Sequence, residues 1–270
     1  MKSVLALAAV GLVYGALQNN WIQVEKIRLQ VKQLPPELEG FKIVHLSDIH
    51  LPRNAASINY LTQLVKKQEP DLIVMTGDIV DRKANPLTCG LTELCQGLAG
   101  ITAVYGVTGN HEKTNCQLSQ WKKILEKNGV KLIDNQYEIL TIGTSKLALL
   151  GLEDGRTYRN RFLKANDIRE CQYKILLVHR PLLWQQSYPN SVSLWPDLVL
   201  NGHEHGGQFR IPFIGGLISH DQGLFPKYTS GVYTIKNQTK VILSRGLGST
   251  TIPLRIHNRP HLPVITLTNR

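Results

Sequence analysis

The sequence has few of the residues that mark disulfide-rich, fibrous or nucleic-acid-binding chains. Only 4 of its 270 residues are cysteines, and none forms a CxxC pair, so neither a zinc knuckle nor a dense disulfide framework is indicated. Aromatic residues make up 7% and are not interleaved with the scattered basic residues, as a base-stacking surface would require. There is no internal repeat, and 42% of the residues are hydrophobic, which excludes a disordered, collagen-like or coiled-coil chain. The composition therefore indicates a globular chain with the size of one catalytic domain.

Acidic residues are in deficit. The chain has 20 Asp and Glu against 31 Lys and Arg, a formal net charge of +11. Such a charge attracts nucleic acid, anionic lipid or a phosphorylated substrate, and it does not choose among them. Because aromatic interleaving is missing, nucleic acid is the least favoured of these partners. The sequence does not indicate an oligomeric state.

One long uncharged run is present, over residues 3–17 (SVLALAAVGLVYGAL) after Lys2. As a helix it would span about 23 Å, less than the roughly 30 Å hydrocarbon core of a bilayer. A cleavable signal peptide should end in small residues, whereas the best candidate site begins at Tyr14. We therefore expect residues 1–22 to form a single uncleaved anchor in the cell membrane, on a side that the flanking charges leave open. A cleaved signal peptide and a helix packed on the protein's own core are the alternatives.

The remaining chain has the organisation of an α/β domain. Residues 23–40 contain Pro35-Pro36 and predict a juxtamembrane linker or an edge strand, so the catalytic domain is expected over 41–270. Helical patterns at 57–68 and 117–128 lie between apolar runs, and alternating strands follow residue 206. This order predicts two sheets packed together with helices outside. The buried strands are expected in FKIVHLSD (41–48), DLIVMTGD (71–78), ITAVYGVTGN (101–110), KLALLGLED (146–154), KILLVHRP (174–181) and DLVLNGHEH (197–205).

Most of these strands end in a side chain that can bind metal. Sheet enzymes place their sites at such strand ends. In D-x-H and H-x-H the two donors are two residues apart, and an extended backbone directs both to the same side. A glycine before a donor permits the close backbone approach that a crowded site needs. The donors are Asp48, His50, Asp78, Asn110, His179, His203 and His205.

This donor set mixes imidazoles, carboxylates and an amide oxygen. Such a mixture favours Mn, Zn or Fe over an all-oxygen Mg or Ca site. Seven donors exceed what one ion can use while keeping a water ligand, so they predict two divalent ions that share a carboxylate.

The ordered motifs DIH, GDIVD, GNHE, a lone His and GHEH resemble those of the calcineurin-like metallophosphoesterase superfamily. The N-terminal run and GHEHGGQ resemble its membrane-associated bacterial phosphodiesterase branch, which includes UDP-2,3-diacylglucosamine pyrophosphatases. The resemblance implies the metallo-dependent phosphatase fold, a four-layer αββα sandwich of two mixed sheets flanked by helices.

The resemblance also implies a role for each donor. Asp48, His50 and His205 would bind the first ion, Asn110, His179 and His203 the second, and Asp78 would bridge the two. His111 matches the family histidine that protonates the leaving oxygen or steadies the phosphate, while Glu112 orients its surroundings. Two positions depart from the branch: Glu204 stands where Thr is common, and Arg180 follows His179 where Asn is usual.

The expected activity is hydrolysis of a phosphate ester by a hydroxide that bridges two ions. The substrate is expected to be a lipid-linked or envelope phosphodiester or pyrophosphate, such as UDP-2,3-diacylglucosamine. A phosphomonoesterase, a nuclease and a non-catalytic scaffold on the same fold are the alternatives. Trp184, Trp195 and residues 209–213 are expected to form either ordinary core or an apolar lip beside the site.

Overall fold

The computed structural model describes residues 14–15, 18–53, 56–155, 166–181, 184–187, 194–219, 221–249 and 255–269. The strands of the first half of the chain are β1 (Gln23–Gln30), β2 (Lys42–Leu46), β3 (Leu72–Thr76), β4 (Val104–Val107), β5 (Val130–Leu132), β6 (Tyr137–Ile142) and β7 (Ser145–Leu152). Those of the second half are β8 (Tyr173–Val178), β9 (Leu198–Asn201), β10 (Arg210–Ile211), β11 (Gly215–Gly216), β12 (Ile218–Ser219), β13 (Gly223–Leu224), β14 (Gly231–Thr234), β15 (Lys240–Leu243) and β16 (His261–Thr268).

The helices are short and amphipathic. In α1 the Ser57 hydroxyl accepts a hydrogen bond from the Tyr60 N–H at 3.2 Å, which caps the first turn, and the apolar stripe buries Leu61 and Val65. The α-helices are α1 (Ile58–Lys66), α2 (Leu91–Ala99), α3 (Asn110–Thr114), α4 (Leu118–Lys127) and α5 (Trp184–Ser187). Short 3₁₀ turns lie at Pro36–Leu38, Asp167–Glu170, His205–Gly207 and Lys236–Gln238.

Two six-stranded sheets form the frame. The first has the order β1-β16-β2-β3-β4-β5, in which β2 to β5 are parallel and β16 runs antiparallel to β2. The second has the order β14-β15-β9-β8-β7-β6, with four parallel central strands and an antiparallel strand at each edge. Two small hairpins, β10–β11 and β12–β13, follow β9. Parallel neighbours bring their carboxyl ends to one edge of each sheet, and the site lies there.

The two sheets pack face to face. Successive side chains of a buried strand point to opposite faces of its sheet, and both faces carry apolar side chains. In β3, Leu72 and Val74 join the core between the sheets, whereas Ile73 and Met75 face α1, α2 and α4. The outer face of the second sheet packs on a third cluster that contains Trp184 and Trp195. Both tryptophans are therefore core residues, which decides between the two roles expected for them.

The predicted fold class is confirmed. Every strand expected from an apolar run is present, and the helical patterns at 57–68 and 117–128 form α1 and α4. The sequence reading missed α2 and the edge strands β5 and β6, and the outer layer on the second sheet contains less helix than a symmetric sandwich would.

The linker expected over residues 23–40 requires correction. Gln23–Gln30 form β1, a full edge strand that pairs in parallel with β16 from Gln23 opposite His261 to Gln30 opposite Thr268. Ile27 and Leu29 of this strand are buried between the sheets. The edge strand, one of the two alternatives that the sequence left open, is the one the chain adopts.

The single N-terminal membrane anchor is also corrected. Among the residues that the structure describes, no helix combines the length and the apolar character that crossing a bilayer requires. The run on which the prediction rested, residues 3–17, lies outside the described residues except for Tyr14 and Gly15. Tyr14 lies beside the domain, with its hydroxyl 2.8 Å from His257 Nδ1.

Candidate metal centre

The carboxyl ends of five parallel strands bring all seven predicted donors to one place. Asp48 and His50 follow β2, Asp78 follows β3, and Asn110 follows β4 at the start of α3. From the second sheet, His179 follows β8, and the loop after β9 supplies two more histidines, His203 and His205. The β2 and β3 loops are joined by backbone hydrogen bonds from Asp48 N–H to Gly77 O and from His50 N–H to Asp78 O, both 3.0 Å.

Three of the donors form a first buried group with the composition of a metal site: Asp48, His50 and His205. His205 Nε2 lies 3.3 Å from Asp48 Oδ1, and His50 Nε2 lies 3.1 Å from His205 Nε2. Two imidazole nitrogens that face each other in a buried site are the arrangement expected where both point their lone pairs at one cation.

A second buried group adjoins the first and contains Asp78, His179 and His203. His179 Nε2 lies 3.1 Å from His203 Nδ1 and also 3.1 Å from Asn110 Oδ1. One oxygen, Asp78 Oδ2, is 3.4 Å from His179 Nε2 and 4.0 Å from His50 Nε2. Asp78 therefore lies between the two groups and is the carboxylate that both can share.

The backbone of these donors departs from the extended form on which the i and i+2 argument relied. Asp48 and His50 follow the end of β2 with φ of 51° and 52°, in the left-handed region. For residues other than glycine this region is sparsely populated and costs energy, and such strain clusters at functional sites. The donors with left-handed φ are Asp48, His50, Asp78, His203 and His205. Tight left-handed turns, and not strand geometry, direct these side chains inward.

Close packing around the donors explains two of the glycines. A Cβ atom at Gly109 would overlap Asp78 Oδ1, and one at Gly202 would overlap Ser47 Oγ and Asp48 Oδ2. These two glycines therefore permit the close backbone approach that the sequence predicted for them.

A matched pair of substitutions tests this packing. Gly109→Ala should displace Asp78, lower the free energy of unfolding by about 1–3 kcal/mol and reduce metal binding. Gly106→Ala is the control, since a Cβ atom there would lie 3.6 Å from Met75, an ordinary contact, on β4. The stability of both variants is compared by thermal unfolding, and their metal binding by calorimetric titration with Mn. Equal effects of the two substitutions would show that the centre is not as crowded as described.

The charges in the centre prepare the donors to bind cations. Burial alone would raise the pKa of Asp48 and of Asp78, but the neighbouring imidazoles, chiefly His205 and His179 respectively, hold both below their usual range. Burial lowers the pKa of His50 to about 3, which keeps this imidazole neutral. Burial opposes protonation of His179 as well, yet the charge of Asp78, its hydrogen bond to the ring and the charges of Asp48 and Asp154 together outweigh burial and raise the pKa of His179 to about 10. A cation that binds His179 therefore displaces a proton from it.

His111 lies at the open side of the centre. Its Nδ1 atom accepts a hydrogen bond from the Arg82 backbone N–H at 3.3 Å, and its Nε2 atom lies 3.8 Å from Asp78 Oδ2. Asp81 Oδ2 lies 3.6 Å from Nδ1. Burial lowers the pKa of His111, although the Asp78 carboxylate opposes that shift. Arg82 Nη2 lies 2.8 Å from Nε2, so both ring nitrogens face N–H donors of Arg82.

Two buried networks hold the donors from behind. Glu112 accepts backbone N–H hydrogen bonds from Asp78, Val80 and Gly109, each 2.9 Å long. Burial and the nearby Asp78 charge raise the pKa of Glu112 to about 7. On the other side, the Ser47 hydroxyl donates to Asp48 Oδ2 at 2.6 Å. Such outer contacts fix ligand orientation.

The two residues that depart from the family pattern, Arg180 and Glu204, both contact the β12–β13 hairpin. The Arg180 guanidinium donates to Asp154 Oδ1 at 2.9 Å and to Asp221 Oδ2 at 2.5 Å, so its charge is largely compensated. Glu204 is buried and accepts a hydrogen bond from the Ser219 hydroxyl.

The sequence reading missed Asp221, whose Oδ2 atom lies 2.9 Å from His203 Nε2. A carboxylate on the far nitrogen of a metal-binding histidine fixes the ring and its tautomer. Asp221 lies in the turn between β12 and β13, far from any motif. Its one sequence signal is that it and Glu204 are the only acidic residues after Asp197.

The residues present fit a pair of divalent ions. Buried imidazoles and carboxylates within ligand distance of one another, with facing nitrogen atoms, are the donors that Mn, Zn and Fe prefer. The nearby arginines approach the outer nitrogens of two of these rings: Arg180 Nη1 lies 3.1 Å from His203 Nε2, and Arg255 Nη2 lies 3.5 Å from His205 Nδ1. A third group, His50, Asp81 and His111, shares His50 with the first and has no counterpart in the predicted set.

The sequence was then compared with known families and structures. A family model described as calcineurin-like phosphoesterase matches residues 41–207, more than half of the chain. The chain belongs to the calcineurin-like phosphoesterase family. This result confirms the predicted family and the predicted enzyme class, a metal-dependent hydrolase of phosphate esters.

Several relatives in this phosphoesterase family match along nearly the whole chain. The uncharacterized metallophosphoesterase YkuE of Bacillus subtilis is 31% identical, and the alignment covers 97% of this chain and 93% of YkuE. A transmembrane protein with metallophosphoesterase domain from Danio rerio is 27% identical over 97% of this chain and 60% of its own length. Among solved structures, sulfate thiohydrolase SoxB of Thermus thermophilus superposes with a TM-score of 0.52 at 14% identity, over 88% of this chain and 58% of SoxB. The last likeness shows the fold alone.

Proposed function

We propose that this phosphoesterase hydrolyses phosphodiesters with two divalent ions, of Mn, Zn or Fe. Asp48, His50 and His205 would hold one ion and Asn110, His179 and His203 the other, with Asp78 contacting both. The observation that carries this proposal is the position of Asp78 Oδ2, within 4.0 Å of His50 Nε2 and 3.4 Å of His179 Nε2. When bound, two such ions activate water near neutral pH and neutralise charge on the phosphoryl oxygens.

The side chains of the protein supply the rest of the reaction. His111 directs Nε2 toward the centre and, when protonated, would give its proton to the leaving oxygen, a general-acid role. Asp221 holds the imidazole of His203 in orientation through its outer nitrogen, Nε2.

A diester fits the surrounding charges better than a monoester does. A monoester brings about two negative charges and gains from free arginines, whereas a diester brings one. Of the arginines near the centre, Arg180 is paired with two carboxylates and Arg245 with Glu25 and Gln23, whereas Arg82 is exposed and has Nη2 2.8 Å from His111 Nε2. One exposed arginine at the open side of the centre matches the single charge of a diester better than the two charges of a monoester.

The narrower substrate remains part of the proposal. The GHEHGGQ motif resembles the branch that includes UDP-2,3-diacylglucosamine pyrophosphatases, so we propose a lipid-linked or envelope phosphodiester or pyrophosphate of this kind. This proposal does not depend on a membrane anchor.

Hydrolysis of two simple esters tests the function. With Mn, the full chain should hydrolyse bis-4-nitrophenyl phosphate with a kcat/KM at least about tenfold above that for 4-nitrophenyl phosphate, because Arg82 alone offers little to a dianion while Arg180 and Arg245 are paired with carboxylates. Chelation should abolish both activities, and added Mn should restore them. Activity that survives chelation would contradict the metal centre, and a preference for the monoester would contradict the diesterase. Faster cleavage of DNA than of small diesters would favour a nuclease.

A further inference from the structure

Exposed apolar side chains are concentrated in one short part of the chain, directly after the last metal-binding motif. Of the twelve large apolar side chains exposed among the described residues, six lie between residues 211 and 225. Phe213, at the tip of the β10–β11 hairpin, is fully exposed. Apolar patches of this kind mark binding surfaces. The six are Ile211, Phe213, Ile214, Ile218, Leu224 and Phe225, and we call β10–β11 and β12–β13, with Phe225, the apolar hairpins.

Polar side chains of the apolar hairpins form hydrogen bonds and an ion pair with residues of the GHEH loop. Asp221, in the β12–β13 turn, contacts His203 at 2.9 Å, and the Ser219 hydroxyl donates to Glu204. In the first hairpin, Arg210 Nη1 donates to Gly206 O at 2.9 Å. The hairpins thus contact the loop that carries both histidines of the GHEH motif, and they expose apolar surface on the other side.

Two of the apolar side chains are near Asp221 in the chain, and the Asp221 carboxylate contacts His203. Ile218 and Leu224 are opposite each other in the β12–β13 register, and each is three residues from Asp221. At about 3.4 Å per residue, both therefore lie within roughly 10 Å of the Asp221 backbone.

A cleft of about 390 Å³ adjoins the first hairpin and is lined by residues 210–215 and His257. Arg210 places a positive charge at the wall of this cleft, on the side that contacts the metal loop at Gly206. Ligand clefts commonly have this size.

We infer that the apolar hairpins hold an apolar chain of the phosphodiester whose phosphate lies at the metal centre. This inference rests on the proposed function. We favour the substrate over other occupants because the apolar hairpins are continuous with the metal centre. Ser219 and Asp221 belong to the hairpins and also contact Glu204 and His203. The positive Arg210 complements the anionic group to which such a chain is attached.

A series of alkyl 4-nitrophenyl phosphates tests the inference on the full chain with Mn, at concentrations below micelle formation. Water adds to phosphorus as the bond to 4-nitrophenolate breaks, which leaves the alkyl phosphate. From the butyl to the dodecyl ester, kcat/KM should rise at least about tenfold, through KM, because added methylene groups are buried against the hairpins. Binding of dodecyl phosphate, followed by calorimetry, should be tighter than that of butyl phosphate by a similar factor.

Substitutions locate the effect. Ile218→Ser combined with Leu224→Ser should remove most of the dependence on chain length and leave the butyl ester within about twofold of wild type. Val232→Ser, at an exposed apolar position on the edge strand β14, is the matched control and should change neither. Phe213→Ser tests the first hairpin separately, and the wild-type series does not depend on how any variant folds.

The outcomes separate this inference from the proposed function. Hydrolysis without dependence on chain length would overturn the inference and leave the diesterase intact, whereas no hydrolysis of any ester would overturn both. The inference also fails if the double variant keeps its dependence on chain length. Loss of sedimentation with phosphatidylcholine–phosphatidylglycerol vesicles in that variant would then assign the hairpins to a bilayer surface, and a changed particle mass in light scattering would assign them to a second copy of the chain.

Discussion

Replacing His111 with asparagine should lower kcat for diester hydrolysis by about 10²- to 10⁴-fold while KM stays within a few fold of wild type. Nε2 of this ring faces Asp78 Oδ2 at 3.8 Å and Arg82 Nη2 at 2.8 Å, so the protonated ring would present a proton toward the centre. Asparagine keeps a polar group in the same place but has no proton to give at neutral pH. The steady-state constants of both proteins, measured with Mn, check the prediction.

The leaving group distinguishes proton donation from a merely structural role. A 4-nitrophenolate group departs without a proton, whereas an alkoxide requires one, so His111→Asn should cost far more with a methyl or nucleoside leaving group. The ratio of the two losses is the readout, and protein stability does not affect it. An equal loss for both leaving groups would mean that His111 positions the phosphate and does not act as an acid.

The fold could be predicted because its strands are buried on both faces. In β3 the sequence LIVMT is entirely buried, so an apolar run of five residues marks the strand directly. The edge strand β6 reads YEILTI and is mostly half-buried, a weaker pattern that the sequence reading passed over. Helix α2 was missed for a different reason: it follows Gly90 and contains Gly97, which weaken its helical signal.

The centre could be predicted because parallel strands end at the same edge. Asp78 and His179 belong to different sheets and are about a hundred residues apart, yet each follows a parallel strand, and their side chains lie 3.4 Å apart. The backbone that brings them together was not predicted. Left-handed φ at Asp48 and His50 is imposed by the packing of neighbouring loops, and residue spacing contains no information about it.

The contacts around the donors are less visible in the sequence. Asp221 reaches His203 only because two hairpins fold back over the GHEH loop, and no spacing relates the two residues. Arg255, which lies 3.5 Å from His205 Nδ1 through Nη2, is similarly remote in the chain. Contacts that depend on how irregular loops fold require the tertiary structure.

Replacing Asp78 with asparagine should abolish diester hydrolysis, with a loss of at least about 10³-fold. The substitution keeps the shape of the side chain but removes the negative charge that both donor groups share. Asp71→Asn is the control, because Asp71 immediately precedes β3 and its Oδ2 accepts the Lys42 N–H, a bond that an amide oxygen can replace. Asp71→Asn should therefore retain wild-type activity, and comparable losses in the two variants would point to damage of the fold.

The number of metal ions bound per chain is the most direct test of the account. Mass spectrometry of the metals in purified, active full chain should find two equivalents of Mn, Zn or Fe in the wild type and at most one in Asp78→Asn, with Asp71→Asn unchanged. One ion or none in active wild-type protein, or two ions retained in Asp78→Asn, would contradict a centre in which Asp78 joins two metal sites.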